Sequence, residues 1–381
     1  MNLFNYLMNK NDKEIVDNNH LLEYLLNAGK LTSITGTELN IIAKKRKINE
    51  LIMTKESTQE GSPTPENPVE VNTVKGYRNL LDINDSESGG IDSTGNLIDN
   101  SYSWRATDFI EVKPNQKYTF INNEGLLIRF YQYDTSKNFI SPRIESAISN
   151  KEFTITTGAT TKYLKWTIYN TNSITLTKTI VENYDLQITE SNGKLPYVPY
   201  GTNWIYTKVS NGTDTNYYTI PLNGNEIAGI GDYKDELIVD SKGKCWLNKK
   251  IGKAILDGSE NWTDRPNYTY GDRFVFESTI IPMQIVNGFS NYFITTNYLS
   301  VNYPRLILNN GQQIVINFSD KGTTTLSQFK TWLSTHNTDV YYVLATEQLI
   351  DLNYTTDIRL FKGVNNITNS DDMTMVLKYY S

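Results

Sequence analysis

Three segments of the sequence place aromatic rings beside polar side chains, a combination that suits sugar binding. In such sites a ring stacks on the C–H face of the sugar, while carboxylate, amide or guanidinium groups bind its hydroxyls. Residues 260–273, ENWTDRPNYTYGDR, supply the candidate contacts Trp262, Arg265, Tyr268 and Tyr270. Residues 101–108, SYSWRATD, supply Trp104 and Arg105. Residues 287–303 supply Tyr292, Tyr298 and Tyr303.

Each of these rings has an alternative role in packing, because the chain contains 26 Tyr, 13 Phe and 6 Trp and most of them must be structural. Trp262 and Tyr268 would also suit the end of a β-sandwich. Pro266 favours the binding role, since it stiffens the loop and limits the entropy lost when a ligand binds. Both interpretations stay open at this point.

Signals for catalysis are weak. The two histidines, His20 and His336, both fall in predicted helices, and no dinucleotide loop, Walker loop or G-x-S-x-G elbow is present. Glycoside hydrolysis needs only two carboxylates, so 42 acidic residues leave that alternative open. Residues 82–87, DINDSE, are oxygen-rich but lack the spacing of an EF-hand loop, so a solvated loop is the alternative to a calcium site. We expect no metal, no cofactor and no enzymatic activity.

The composition narrows the class of protein. A length of 381 residues suggests two or three domains. A net charge of −6 argues against sequence-independent nucleic-acid binding. The lone Cys245 excludes an internal disulfide and fits synthesis in a reducing cytoplasm. No apolar run reaches 18 residues and no signal-peptide core precedes the first helix, so we expect neither a membrane span nor secretion by that route.

The elements that would position these residues are mostly strands. Short apolar runs separated by turn residues predict six strands in residues 76–200, among them 117–122, 126–134 and 163–170, and seven in residues 202–381. They also predict one helix at 325–337, capped by Thr325 or Ser327. Asn310-Gly311 predicts a hairpin turn. Near the N-terminus, an apolar stripe at Leu21–Leu26 predicts a helix that packs on its own domain or docks a partner, and the basic run at 44–47 predicts a solvated strand edge.

These patterns predict a mainly β protein with two antiparallel β-sandwich domains, of jelly-roll or carbohydrate-binding-module type, after a short N-terminal α/β anchoring region. The predicted boundaries are residues 1–60 for the helical and strand anchoring region, 61–75 for a proline-rich linker, 76–200 for the first sandwich and 201–381 for the second. The linker rests on three prolines within 61–68, GSPTPENP, which impose extended geometry and remove backbone donors.

Seven segments of the sequence carry a further signal, namely TKESTQEGSPTPENPVEVNTV (54–74), NLLD (79–82), ATDFIEVKPNQKYTF (106–120), LQITESNGKLPYVPYG (186–201), DELIVDSKGKCWLNKKIGKAILDGSENW (235–262), VYYVLATEQLIDL (340–352) and FKGVNNITNSDDMTMVLKYY (361–380). They resemble segments of minor structural proteins of tailed phages that infect Gram-positive bacteria. The resemblance covers about residues 54–381. Residues 187–193 depart from the family's Q-x-E-x-G phrase, and residues 1–53 match weakly, which leaves the point of attachment to the particle undefined.

The resemblance implies a virion structural protein of the tail, baseplate or fibre, synthesised in the host cytoplasm. It implies contacts with other virion proteins through the N-terminal region, assembly as a homo-oligomer, with a trimer favoured, and recognition of a host cell-wall polysaccharide or teichoic acid. Arg265 and Arg273 would suit the phosphates of the latter.

Two alternatives remain from other functional classes. One is a purely structural scaffold or a fibre attached to the head or collar, and the other is a cell-wall-degrading tail enzyme. A deep acidic cleft with converging carboxylates would favour the enzyme. A shallow aromatic face would favour the receptor binder, and burial of that face between subunits would favour the scaffold.

Overall fold

The structure is a computed structural model, and it describes residues 33–43, 48, 50–147, 149–264, 274–279, 288–296, 305–309, 313–318 and 325–378. The predicted N-terminal helix at Leu21–Leu26, the basic run at 44–47 and the turn at Asn310-Gly311 lie outside these residues. The prediction of a mainly β fold with antiparallel sheets is confirmed.

The strands follow one another along the whole described chain. They are β1 (Ser33–Gly36), β2 (Leu39–Ala43), β3 (Glu50–Thr54), β4 (Thr58–Gln59), β5 (Val71–Asn72), β6 (Tyr77–Arg78), β7 (Ser86–Ser88), β8 (Gly90–Ile91), β9 (Leu97–Ile98), β10 (Ser103–Ala106), β11 (Ile110–Glu111), β12 (Lys117–Tyr133), β13 (Phe139–Glu145), β14 (Asn150–Thr156), β15 (Tyr163–Tyr169), β16 (Gln187–Glu190), β17 (Asn203–Ser210), β18 (Thr215–Pro221), β19 (Gly229–Ile230), β20 (Tyr233–Lys234), β21 (Glu236–Val239), β22 (Lys244–Leu256), β23 (Thr263–Asp264), β24 (Phe274–Thr279), β25 (Phe289–Ser290), β26 (Ile294–Thr296), β27 (Arg305–Asn309), β28 (Gln313–Phe318), β29 (Thr338–Thr355), β30 (Gly363–Asn369) and β31 (Thr374–Lys378). The helices are a 3₁₀ turn at Ile83–Asp85, α1 (Lys178–Glu182) and α2 (Leu326–Thr335).

The chain divides into two compact units. The sandwich unit comprises Gly76–Tyr206 and Pro221–Gly224, close to the first sandwich expected at 76–200. The terminal unit comprises the described residues before Gly76, Thr207–Ile220 and those from Asn225 onward. Neither described helix is long and apolar enough to cross a membrane.

The terminal unit differs from the predicted order of separate anchor, linker and C-terminal module. Its largest described sheet has the order β1-β31-β3-β21-β22-β29-β25, so strands from before residue 60 pair with β31, the last strand that the structure describes. Leu51 and Met53 on β3 are fully buried there. The proline-rich segment is also tied down, because β5 pairs with β4 and the Val69 N–H donates to the Asn291 carbonyl. Such pairings join residues too far apart in the sequence for local patterns to reveal.

The helix predicted at 325–337 is present, and it packs on a five-stranded sheet of order β23-β24-β28-β27-β26. Helix α2 begins with a capping box between Thr325 and Gln328, which satisfies backbone N–H groups that a helix start leaves without partners. Its buried Phe329 stacks on Phe276 with ring centroids 4.3 Å apart. Strands β27 and β28 pair antiparallel, as the hairpin prediction requires.

In the sandwich unit, one long strand links two layers. The first part of β12 pairs with β14 and β16, and its second part pairs with β13 and β15. The register breaks between Ile121 and Leu126, where the Asn122 side chain accepts hydrogen bonds from the backbone N–H groups of Glu124 and Gly125. Gly125 has φ +74°, a left-handed conformation that favours glycine.

The two parts of β12 close one hydrophobic core between the layers. Phe120 comes from the first part and Phe130 from the second, and both are fully buried with Trp166 of β15 and Ile188 of β16. Burying side chains of this size stabilises the fold by roughly 1.5–3 kcal/mol each. The arrangement is sandwich-like, and Ala106 and Trp166 of its core also line the site described next.

Candidate functional site

The predicted sugar contact Trp262 lies in the core of the terminal unit. Its side chain is 4% exposed, and its ring meets Phe329 edge-on at 5.0 Å between centroids. The indole N–H donates to Glu260 Oε2 at 2.8 Å. These contacts favour the packing alternative for Trp262. The partners predicted for it, Arg265, Tyr268 and Tyr270, lie outside the described residues, as do Pro266, Arg273, Tyr298 and Tyr303.

Trp104 and Arg105 are adjacent on β10, and both are buried. Trp104 Nε1 donates to Ser86 Oγ at 2.7 Å. Arg105 forms a salt bridge with Glu87 at 2.6 Å, and its Nη1 donates to two backbone carbonyls at 3.0 Å. Both side chains therefore have partners within the sandwich unit, and neither is presented as a sugar platform.

The same contacts explain the oxygen-rich segment 82–87. Asp82 caps the 3₁₀ turn by accepting from the Asn84 N–H at 2.9 Å, while Ser86 and Glu87 bind Trp104 and Arg105. Among the described residues, no group of three or more Asp, Glu, His or Cys side chains could hold a metal ion.

His336 is the C-cap residue of helix α2, and Tyr292 packs against that end of the helix. The His336 ring stacks on Trp332 at 4.4 Å, and its Nδ1 lies 2.9 Å from the Trp332 carbonyl oxygen. Tyr292 packs edge-on against Trp332 at 5.3 Å. His20 lies outside the described residues.

Two adjoining clefts in the sandwich unit form the candidate site. The first has a volume of about 290 Å³ and is lined by residues that include Asp85, Asp108, Glu111 and Trp166. The second has a volume of about 320 Å³ and is lined by residues that include Asn84, Glu182 and Tyr197. Asn79, Asp82 and Tyr200 line both clefts.

Exposed tyrosines dominate this surface. Tyr197 is 46% exposed and Tyr200 is 54% exposed, and we call the pair the tyrosine ridge. Tyr200 stands between the clefts, and Tyr197 borders the second one. Exposed rings beside carboxylate and amide groups are the combination that stacks on a sugar ring and binds its hydroxyls.

A buried amide fixes the backbone beneath the ridge. Asn79 is 3% exposed and makes four hydrogen bonds. Its Nδ2 donates to the carbonyls of Leu186 and Val198 at 3.0 and 3.2 Å, and its Oδ1 accepts from the N–H groups of Leu81 and Ile188 at 3.0 and 3.1 Å. One side chain thus ties together three segments of the chain that meet at the clefts.

A second amide fixes the segment that carries the two rings. Gln187 Nε2 donates to the Pro196 carbonyl at 3.2 Å, and its Oε1 accepts from the Val198 N–H at 2.7 Å. The Tyr77 hydroxyl also donates to the Pro196 carbonyl, at 3.1 Å. Val198, between the two tyrosines, is fully buried. The ridge is therefore held in place before any ligand arrives, which reduces the entropy lost on binding.

The first cleft carries more negative than positive charge. Asp82, Asp85, Asp108 and Glu111 line it together with one cationic side chain, Arg78. A hydrogen bond and the charge of Lys162, whose Nζ lies 2.6 Å from Glu111, lower the pKa of that carboxyl group. A general acid needs a raised pKa, so Glu111 is suited to accept hydrogen bonds rather than to donate a proton.

At the far end of the ridge, burial and the nearby charge of Asp185 raise the pKa of Tyr197. Its hydroxyl stays protonated at neutral pH and can both donate and accept a hydrogen bond. The described geometry therefore supports sugar binding through stacking and hydrogen bonds.

Sequence reasoning missed both tyrosines of the ridge. The domain boundary predicted between residues 200 and 201 falls within this segment, YVPYG (197–201), and Asp82 belongs to the segment 82–87 predicted as a solvated loop or a calcium site. The signal that was available is the pair of rings three residues apart, joined by a valine and a proline that stiffens the segment.

No protein-family model, curated protein or solved structure matches this chain.

Proposed function

We propose that this chain is a structural protein of a phage virion, located in the tail, baseplate or a fibre, and that it helps to recognise the host cell surface. The proposal for the virion rests on the phrases within residues 54–381 that resemble tail proteins. The proposal for recognition rests on one observation, the rigidly held tyrosine ridge between two polar clefts. Its ligand class is a polysaccharide or teichoic acid of the cell wall.

The proposed role does not include catalysis. The cleft carboxyl group whose pKa is shifted, Glu111, is shifted away from the value that a general acid needs. Release of reducing sugars or peptides from purified walls by the recombinant chain would contradict this part of the proposal. Loss of that release on changing Asp82 and Asp108 to Asn would then assign the activity to the first cleft.

The test of recognition is cosedimentation of the full chain with purified cell walls from a panel of Gram-positive bacteria. We expect at least one wall to retain the chain, and Tyr200→Ala to abolish that retention. Tyr102→Ala is the matched control, because Tyr102 is an exposed tyrosine of the same unit outside both clefts. Retention by no wall, or retention that Tyr200→Ala leaves unchanged, would contradict the proposal.

The N-terminal region is proposed to contact other virion proteins, in a chain that assembles as a homo-oligomer, with a trimer favoured. Because β3 is buried within the main sheet of the terminal unit, a useful truncation removes residues 1–32 and keeps β1 to β3. We expect this variant to fold but to be absent from particles. Its normal incorporation would contradict attachment through this region.

A second candidate is a purely structural scaffold. It is favoured by aliphatic side chains of the terminal unit that are more than half exposed, namely Ile255, Leu349 and Val364, since exposed apolar groups suit subunit contacts. A particle reconstruction separates the two candidates. Burial of the tyrosine ridge between subunits would favour the scaffold, and its exposure to the outside would favour the receptor binder.

A further inference from the structure

The charge of the first cleft bears on which wall ligand it can accept. Four carboxyl groups line it against one guanidinium, that of Arg78. Lys162 forms an ion pair with Glu111, whereas Asp82, Asp85 and Asp108 form none among the described residues. The Lys165 ammonium, 4.4 Å from the centroid of the Phe109 ring, is a further positive charge beside Asp108, so Asp82 and Asp85 are the less compensated carboxylates. A polymer of phosphates would meet like charge here, whereas a ligand with ammonium groups would meet opposite charge.

The carboxyl groups do not form a metal site. Within the described ranges, no three acidic, histidine or cysteine side chains lie close enough together to share a cation. The negative charge is instead distributed along the cleft, where Asp82 and Asp108 each accept one backbone hydrogen bond and retain further acceptor capacity. This distribution suits an extended ligand with several separate donors.

The first cleft also has an unused donor. Trp166 lines it, and the side chain is only 1% exposed. Among the described residues, no hydrogen bond joins its indole N–H to an acceptor, unlike those of Trp104 and Trp262. A ligand oxygen that reaches this N–H therefore gains a hydrogen bond without breaking one within the described part of the chain.

We propose that the first cleft binds a saccharide that carries free amino groups. A sugar ring stacks on Tyr200, an oxygen of the saccharide accepts from Trp166 Nε1, and the ammonium groups pair with Asp82 and Asp108. The inference rests on the proposed function, because it names the ligand class of the same ridge. It favours an amino-bearing glycan over a phosphate-rich teichoic acid at this cleft.

The test compares two probes that differ only at nitrogen. They are the β-linked tetramer of glucosamine and its fully N-acetylated counterpart, titrated into the full chain at about pH 6, where the free amines are protonated. We expect the free amine to bind at least about tenfold more tightly at low salt, and the difference to shrink as added salt screens the charges.

Variants then locate the effect. Asp82→Asn and Asp108→Asn should each reduce the preference for the free amine several-fold while leaving the acetylated probe unchanged. Asp99→Asn is the matched control, because Asp99 is an exposed carboxylate of the same unit outside both clefts. Trp166→Phe should weaken both probes by a similar factor, and hydrogen exchange of the variant checks that the core is intact.

The outcomes distinguish this inference from the function on which it rests. Equal affinity for both probes, with wall binding still lost in Tyr200→Ala, would overturn the inference and leave the proposed function standing. If neither probe binds but cell walls still retain the chain, the inference is likewise overturned and the proposed function stands. Binding that requires calcium and disappears with a chelator would overturn it in favour of a cation. Binding of poly-L-lysine as tightly as the amine probe, unaffected by Tyr200→Ala, would reduce the effect to charge attraction alone.

Discussion

Replacing Asn79 by alanine should loosen the tyrosine ridge without touching its rings. The change removes an amide that serves two backbone donors and two backbone acceptors in the core beneath the site. A buried N–H that loses its acceptor costs about 1–3 kcal/mol, so the N–H groups of Leu81 and Ile188 together account for about 2–6 kcal/mol. Water that enters the vacated space recovers part of this, and we expect a loss of about 3 kcal/mol.

Hydrogen exchange followed by mass spectrometry assigns this loss to the sandwich unit, because each peptide reports its own opening free energy. A decrease of about 3 kcal/mol corresponds to roughly a hundredfold faster exchange in peptides that cover residues 186–200. Peptides of helix α2 in the terminal unit should exchange at unchanged rates.

Asn84→Ala provides the control, because Asn84 is exposed and its side chain accepts one bond from Lys178 at 2.8 Å. We expect it to change exchange by less than about threefold, since exposed polar contacts contribute little. A change below about fivefold for Asn79→Ala would refute the reasoning, because it would mean that water replaces all four bonds. Faster exchange with unchanged wall binding would separate the rigidity of the ridge from its function.

Three further predictions concern the rest of the molecule. The Asp235 carboxylate is fully buried and accepts hydrogen bonds from Lys249 and from three backbone N–H groups. Asp235→Ala should therefore lower the free energy of unfolding, measured in urea, by about 3–5 kcal/mol. The same change at the exposed Asp232 should lower it by less than about 0.5 kcal/mol. Burial raises the pKa of Cys245 to about 12, so the folded chain should resist thiol reagents at about pH 8 and react once urea unfolds it, and rapid labelling of the folded chain would contradict that burial. Hydrogen bonds from the backbone N–H and the side chain of Asn138 lower the pKa of Asp134 from 3.8. As the pH falls, the unfolded chain therefore takes up the proton at this carboxyl group before the folded chain does, and the stability that the carboxylate contributes at neutral pH is lost below about pH 4. Asp134→Asn should therefore make acid unfolding less steep.

Local patterns predicted much of the fold where the interactions are themselves local. Alternation of apolar residues located β15, and the apolar stripe and capping residue located helix α2 within two residues at each end. The same reasoning divided β12 into two strands, because the bend at residues 122–125 has the composition of a turn. The backbone in fact continues through that bend and carries the chain from one layer to the other.

The site was less accessible to sequence reasoning, because composition does not reveal exposure. Trp104 and Trp262 have polar neighbours in the sequence, yet both rings are buried and their indole N–H groups donate to Ser86 and Glu260 of the same units. The rings of Tyr197 and Tyr200 are exposed, whereas Val198 between them is buried. The amide that holds this segment, Asn79, lies 119 residues from Val198 in the sequence, so no local pattern connects them.

The most direct test of the central claim is the affinity of soluble wall-glycan fragments for the full chain and for two tyrosine variants. Stacking a sugar on an exposed ring buries apolar surface worth about 1.5–3 kcal/mol, so Tyr200→Ala should raise the dissociation constant about 10- to 100-fold, while Tyr102→Ala should leave it unchanged. Equal affinity of the wild-type chain and Tyr200→Ala would contradict recognition by the tyrosine ridge.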